Sequence, residues 1–222
     1  MKSSAIRLLP IETPAPRIGY IPFKHARYWR SDIELSNPRQ AGTAVFMTQK
    51  AYVRANVHAN SDLDNEVGGW LVGSWREDQI TGKEYIVVER CLPAVYARRG
   101  SAYLTFTQDC QVAMFETMEE KYPDKELVGW YHTHPKMSVF LSTYDLFLHN
   151  SFFPHPWQVA LVIEPHTNVA GFFVRDRDGN LDGRHYFGFH ELANEQKRSV
   201  VHWINMKEEF TELLGMKENE NE

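Results

Sequence analysis

The chain has 222 residues, of which 43% are hydrophobic and 24% charged, and this composition is typical of one folded domain with a decorated end. Its net charge of −5 argues against a nucleic-acid-binding protein, which would concentrate Lys and Arg on one face. No stretch approaches the ~20 apolar residues of a membrane span, and the N-terminus lacks the apolar run of a signal peptide. We therefore expect a cytoplasmic protein without membrane or nucleic-acid partners.

Residues 1–40 form a proline-rich segment. Five of the eleven prolines lie there, namely Pro10, Pro14, Pro16, Pro22 and Pro38. Because proline removes a backbone donor and restricts φ, this composition predicts an extended N-terminal arm without long regular elements. The aromatic and basic residues of the arm favour packing against its own domain, with docking of a protein partner as the alternative.

Strand-like and helix-like patterns mix over residues 41–192, which predicts a single α/β domain. In chain order, the first half predicts a strand at 44–47, a helix at 49–58, strands at 66–75 and 85–92, a strand at 103–106 and a helix at 111–121. Thr81-Gly82 indicates the turn between the second and third of these strands. Asp109 is the expected N-cap of the second helix.

The second half begins with a strand at 126–131, which runs into His132-Thr-His134-Pro135. A helix at 141–153 with Ser142 near its start, strands at 157–163 and 169–174, and a hairpin turn before 185–189 are predicted next. For 193–222 the pattern predicts an amphipathic helix at 194–214 and an acidic tail.

The strongest functional signal is a set of ligand-type side chains around position 140. Two histidines at i and i+2 of an extended segment point to the same side, so the imidazoles of His132 and His134 can converge on one ion. Asp145 follows Ser142 by one helical turn and can supply an anionic third ligand. Two histidines and one carboxylate form a known catalytic zinc set, in which the fourth position stays open for water.

Such a zinc site also needs a general base and a donor for the developing oxyanion. Glu66 stands at the start of an apolar, glycine-rich strand, where a carboxylate has no packing role. We therefore predict that Glu66 is the general base. Ser142 lies in the same helical turn as Asp145 and is the candidate hydroxyl donor.

Glu66, the glycines that follow it, and the pattern His132-x-His134-Pro135-x6-Ser142-x2-Asp145 together resemble the JAMM motif of the MPN+ zinc metalloproteases. The likeness covers roughly residues 42–175. It implies a cytidine-deaminase-like fold, in which a central mixed sheet is flanked by helices, and one catalytic zinc ion. It also implies cleavage after the C-terminal Gly-Gly of ubiquitin or a ubiquitin-like modifier, with His132, His134 and Asp145 as ligands, Glu66 as acid/base and Ser142 at the oxyanion.

The segment from Phe140 to Leu146 is most similar to the endosome-associated branch of that family. Members of the branch bind a second, structural zinc and favour one lysine linkage. Here position 147 is Phe and no cysteine follows Cys110, so neither a second zinc nor a linkage preference is expected.

Two other functions fit the same pattern. A metallopeptidase of this type can act on a small amide, a linear peptide or a sulfur-carrier precursor, because the same chemistry cleaves any accessible amide. A non-catalytic MPN scaffold is the other alternative, although such scaffolds usually lack a ligand or the glutamate. The remaining eight histidines, His149 among them, are interpreted as surface or core residues.

Overall fold

The computed structural model describes residues 15–193 and 198–209. Within them the chain forms these elements in order: β1 Arg17–Gly19, β2 Ala26–Ser31, α1 Asp32–Ser36, β3 Ala44–Thr48, α2 Gln49–Ala59, β4 Gly68–Asp78, β5 Glu84–Pro93, β6 Arg98–Gly100, β7 Tyr103–Thr105, α3 Gln108–Lys121, β8 Glu126–Thr133, α4 Thr143–Phe152, β9 Val159–Glu164, β10 Val169–Phe173, β11 Phe189–Leu192 and β12 Met206–Glu209.

One large mixed sheet organises the described residues. Its strands follow the order β10-β9-β8-β4-β5-β3-β11-β2-β12, and β1 pairs in parallel with the far end of β4. β8 lies parallel to β9 and antiparallel to β4. β6 and β7 form a separate two-stranded hairpin. The predicted mixed α/β architecture is confirmed.

Helices cover both faces of the sheet. The alanine side chains of α2 pack against one face of the sheet, where Leu71 and Tyr131 lie. α3 and α4 contribute to the core on the other face, which includes Trp70 and Trp130. Neighbouring residues of β4 and of β8 thus face opposite layers, as the alternation of side chains along a strand requires. A strand buried on both faces explains the nearly continuous apolar runs in β4 and β8.

The described part of the proline-rich arm packs against its own domain. β2 lies between β11 and β12, and Pro16, Pro22 and Pro38 fall outside its strands. α1 follows β2 directly because Ser31 and Glu34 form a capping box at its start. The arm therefore contains more regular structure than its proline content predicts.

The predicted C-terminal helix is wrong over its described residues, 198–209. β12 lies there and pairs antiparallel with β2. Trp203 is buried and donates from Nε1 to Asn56 Oδ1, whereas Ile204 beside it is 73% exposed. Pairing with the open edge of β2 and burial of the Trp203 indole stabilise this segment more than its local preference for a helix does. Residues 194–197 and 210–222, with the acidic tail, lie outside the described residues.

Two local predictions also need correction. α3 begins three residues earlier than expected, because its N-cap is Thr107, whose hydroxyl accepts from Cys110 N, and not Asp109. Only Phe189 of the strand predicted at 185–189 lies in β11. In the described part of the chain, no helix has the length and apolar character needed to cross a membrane.

Asn205 joins the C-terminal segment to the edge strand β10, and its removal should destabilise the fold. The amide accepts from Ala170 N at 3.1 Å and donates to Ala170 O at 2.8 Å, as a neighbouring strand would. We expect Asn205→Leu to lower the free energy of unfolding by about 2–4 kcal/mol, because two buried backbone groups lose their partner. Denaturant unfolding measures this, with the exposed Ile204→Ala as control. Equal stability of the two variants would contradict the assigned contact.

Candidate metal centre

β8 delivers the two histidines to the same side of the sheet. His132 is the penultimate residue of β8, and His134 follows its end. The extended backbone continues past the strand, because His134 N donates to Ile163 O of β9 at 2.9 Å. The Nε2 atoms of His132 and His134 lie 3.0 Å apart. The predicted convergence of the two imidazoles is confirmed.

Asp145 reaches the same point from the first turn of α4. Its Oδ1 lies 3.5 Å from His132 Nε2, and its Oδ2 lies 3.6 Å from His134 Nε2. All three residues are buried, and their ligand atoms lie within 4.8 Å of one another. Burial opposes the charge of Asp145, but the nearby His132 and hydrogen bonds to the carboxylate hold its pKa below the ordinary value.

The spacing of the ligand atoms that these three residues offer fits a metal ion. Ligand atoms held at ~2.0–2.1 Å around a tetrahedral ion lie about 3.3 Å from one another. The two Nε2 atoms are 3.0 Å apart, and Asp145 places one oxygen 3.5 Å from His132 and the other 3.6 Å from His134, which are separations close to that value. An ion at their centre would accept a lone pair from each ring and neutralise the carboxylate. The group can therefore hold a metal ion.

A capping box orients the Asp145 carboxylate. Ser142 is the N-cap of α4, and its Oγ accepts from Asp145 N at 3.1 Å. In return, Asp145 Oδ2 accepts from Ser142 N at 2.7 Å. Both residues are thus positioned by one local motif at a helix start. The Ser142 hydroxyl keeps its proton for a further partner.

Glu66 lies beside the histidines without joining their cluster. Its side chain is 3% exposed, and its Oε1 is 4.0 Å from His134 Nε2. Burial raises the pKa of Glu66 to about 7, although the nearby His134 acts in the opposite direction. The Glu66 carboxyl therefore lies close enough to exchange a proton with a molecule bound at the cluster of His132, His134 and Asp145.

Three hydrogen bonds hold the segment that carries Glu66. Glu66 N donates to Gly100 O of the β6–β7 hairpin at 2.8 Å. Val67 N donates to Thr133 Oγ1 at 2.9 Å, and Thr133 N donates to Val67 O at 2.8 Å. Thr133, between the two histidines, thus ties the glutamate segment to β8. Sequence reasoning assigned Thr133 no role, since only strand pairing brings it to Val67.

Gly68 permits the close approach of β4 and β8 at this point. It lies opposite His132 in the pairing register. A Cβ at position 68 would lie 2.4 Å from Tyr131 O and 3.1 Å from His132 Cβ. Gly68, the first glycine after Glu66, therefore serves close backbone packing.

Residues 40–153 match the sequence profile of the JAB1/Mov34/MPN/PAD-1 ubiquitin protease family. The chain belongs to this family. The matched segment contains all five predicted site residues, Glu66, His132, His134, Ser142 and Asp145. The family resemblance stated from the motif is confirmed.

Three curated relatives illustrate the range of the match. Ubiquitin carboxyl-terminal hydrolase RPN11 of Saccharomyces cerevisiae is 26% identical over 133 residues, covering 60% of this chain and 42% of the relative. NAD(+) hydrolase TcpA of Theionarchaea archaeon is 32% identical over 112 residues, covering 50% and 31%. STAM-binding protein-like A of Danio rerio is 28% identical over 109 residues, covering 49% and 23%. The chain thus spans less than half the length of each of these relatives.

Removal of the α4 cap should weaken metal binding as well as the helix. We expect Ser142→Ala to lower the free energy of unfolding by about 1 kcal/mol. It should also reduce affinity for Co²⁺, because Asp145 N loses its acceptor and the carboxylate is less well held. Denaturant unfolding and a Co²⁺ titration measure the two effects.

Thr107→Ala is the matched control, since it removes the corresponding cap of α3, which contributes no residue to the cluster. It should lower stability comparably and leave the Co²⁺ affinity unchanged. If Ser142→Ala also leaves that affinity unchanged, the capping box does not orient Asp145 for metal binding.

Proposed function

We propose that this protein is a zinc-dependent isopeptidase that hydrolyses the peptide or isopeptide bond after the C-terminus of ubiquitin or a ubiquitin-like modifier. The observation that carries the proposal is the buried Glu66 carboxylate, 4.0 Å from His134 and beside three converging ligand atoms. Membership of a ubiquitin protease family supports the substrate class. The relative from S. cerevisiae is named a ubiquitin carboxyl-terminal hydrolase.

Zinc is the metal that the donor set favours. Two imidazoles and one carboxylate are a frequent catalytic zinc set, and three protein ligands leave one position open. When bound, zinc acts as a Lewis acid that makes water more acidic and polarises a carbonyl oxygen. His132, His134 and Asp145 would hold the ion.

In this proposal Glu66 moves the proton. It accepts a proton from the attacking water and transfers it to the leaving amine, a task for a carboxyl that faces the reaction but does not bind the metal. The restraints from Thr133 and Gly100 keep it in place. Ser142 donates its hydroxyl proton to the developing oxyanion, because its oxygen already accepts from Asp145 N.

The surroundings of the centre favour a protein substrate over a small amide. A cavity of about 1120 Å³ lies beside Ser142 and is lined by residues 137–143 and 182–184. Tyr144 and Phe147 of α4 and Tyr103 of β7 expose 41%, 63% and 50% of their surface. Aromatic side chains are enriched at protein–protein interfaces, and two of these three exposed rings lie on the helix that carries Asp145, which supports a protein substrate.

Glu66→Gln should separate metal binding from catalysis. We expect this variant to retain about one zinc per chain, since Glu66 is not a ligand, and to lose cleavage of conjugates by about 10²–10⁴-fold. Asp145→Asn should lose both zinc and cleavage. The measurements are zinc content and hydrolysis of a panel of ubiquitin and ubiquitin-like conjugates, including linear fusions and a chelated sample.

The panel also decides between the alternatives. A chain that binds zinc but cleaves no conjugate would favour a metallopeptidase with a different amide substrate. A chain that binds no zinc would favour the non-catalytic scaffold and refute the proposal.

Thr133→Val should impair Glu66 without removing the metal. Valine has nearly the shape of threonine but cannot accept from Val67 N, so the glutamate segment is less well held. We expect kcat to fall by about 10–100-fold with zinc content unchanged. Thr117→Val, which removes a hydroxyl bond on α3, is the control and should leave kcat unchanged. An unchanged kcat in Thr133→Val would show that this contact does not position Glu66.

A further inference from the structure

The two histidines of the cluster are held in different ways. His134 Nδ1 lies 3.2 Å from Ser138 O, so a backbone carbonyl orients its ring. His132 Nδ1 is buried and has no hydrogen-bond partner among the described residues. A histidine that binds a metal usually donates its second ring nitrogen to a carboxylate, carbonyl or water. Another contact must therefore set the orientation of the His132 ring.

The contact that faces His132 is the indole of Trp130. The two residues lie two positions apart on β8, so their side chains project from the same face. Their ring centroids are 4.4 Å apart and their planes differ by 8°. Both side chains are fully buried. The stacked indole thus restrains the tilt of the imidazole, whose edge also contacts the His134 ring.

The indole is in turn held by His149 of α4. Trp130 Nε1 lies 3.1 Å from His149 Nδ1. Because an indole N–H only donates, His149 Nδ1 must accept, and the ring is neutral with its proton on Nε2. Burial lowers the pKa of His149 to about 3, which agrees with a neutral ring. Its Nε2 has no partner in the described part of the chain, an arrangement that packing alone would not favour.

The helix that supplies His149 also supplies Asp145. The two residues are four positions apart on α4 and lie on the same helical face. Phe153, four positions further on, stacks against Trp130 with ring centroids 6.0 Å apart. One face of α4 therefore carries a member of the cluster and fixes the indole against which a second member rests.

We propose that Trp130 and His149 are positioning residues, which hold the His132 imidazole in the orientation that metal binding requires. This inference rests on the proposed function, because it assumes that His132 binds the catalytic zinc. Neither residue is expected to touch substrate. The indole, held by its hydrogen bond to His149, orients the His132 ring by stacking, whereas a hydrogen bond to Ser138 O orients His134.

A matched pair of substitutions tests the hydrogen bond. His149→Asn places an amide oxygen close to the position of Nδ1 and can still accept from the indole N–H. His149→Leu has a similar branched shape without an acceptor. The readouts are zinc affinity by chelator competition, the visible absorption of the Co²⁺-loaded chain, and stability of the metal-free chain in denaturant.

We expect His149→Leu to bind zinc about 10–100-fold more weakly than the wild type and to alter the Co²⁺ spectrum. His149→Asn should restore the affinity and the spectrum. If His149→Leu lowers only the stability of the metal-free chain, then His149 is a core residue and the inference is wrong.

The Trp130→Phe background tests whether His149 acts through the indole. Phenylalanine keeps an aromatic ring beside His132 but has no N–H to donate to His149. Trp130→Phe alone should weaken zinc binding, and adding His149→Leu should weaken it no further. Additive losses of affinity would overturn the inference.

Wild-type zinc binding distinguishes the two possible failures. If the wild type binds zinc and His149→Leu binds it equally well, the inference fails while the proposed function stands. If the wild type binds no zinc, the proposed function fails and the inference fails with it.

Discussion

The pairing of β4 with β8 is the constraint on which the rest of the candidate site depends. This register places Gly68 opposite His132 and leaves Glu66, two residues before Gly68, beside the end of β8. The bonds between Val67 and Thr133 extend the pairing to the residue before the start of β4. A slip by one residue would turn the side chains of β8 to the opposite layer and separate the histidines from Asp145. The backbone hydrogen bonds between β4 and β8 thus set the positions of Glu66 and the histidines.

The candidate metal centre also buries several polar groups. Such burial costs free energy unless hydrogen bonds or opposite charges compensate those groups. Glu66, His132, His134 and Asp145 are each at most 5% exposed. The capping box gives the Asp145 carboxylate a hydrogen bond from Ser142 N, whereas the second ring nitrogen of His132 has no hydrogen-bond partner in the described part of the chain. Uncompensated polar atoms in a core cost free energy, and a bound cation relieves that cost for the three ligand groups. The distribution of bonds therefore fits a site that can hold an ion.

Different elements of the surrounding structure supply different residues of the candidate site. β8 supplies His132 and leads directly into His134, and α4 supplies Asp145 together with His149. The β6–β7 hairpin contacts the glutamate segment through Gly100 O and, through Thr105, the exposed Tyr144 of α4. Groups that face solvent and groups that hold the metal site thus share the same short elements. In the proposed isopeptidase, contact with substrate and support of the chemistry would involve the same parts of the fold.

The sequence by itself determined what depends on local spacing. The i and i+2 histidines on a strand, and the serine and aspartate of a helix start, predicted the cluster correctly because both patterns are complete within a few residues. Tertiary structure alone decided the rest. The segment 198–209 has a helical apolar pattern, yet an open strand edge at β2 and a pocket for Trp203 make part of it β12. His149 resembles any other core histidine until the fold brings Trp130 to it, because contacts between distant elements arise only when the sheet and helices pack.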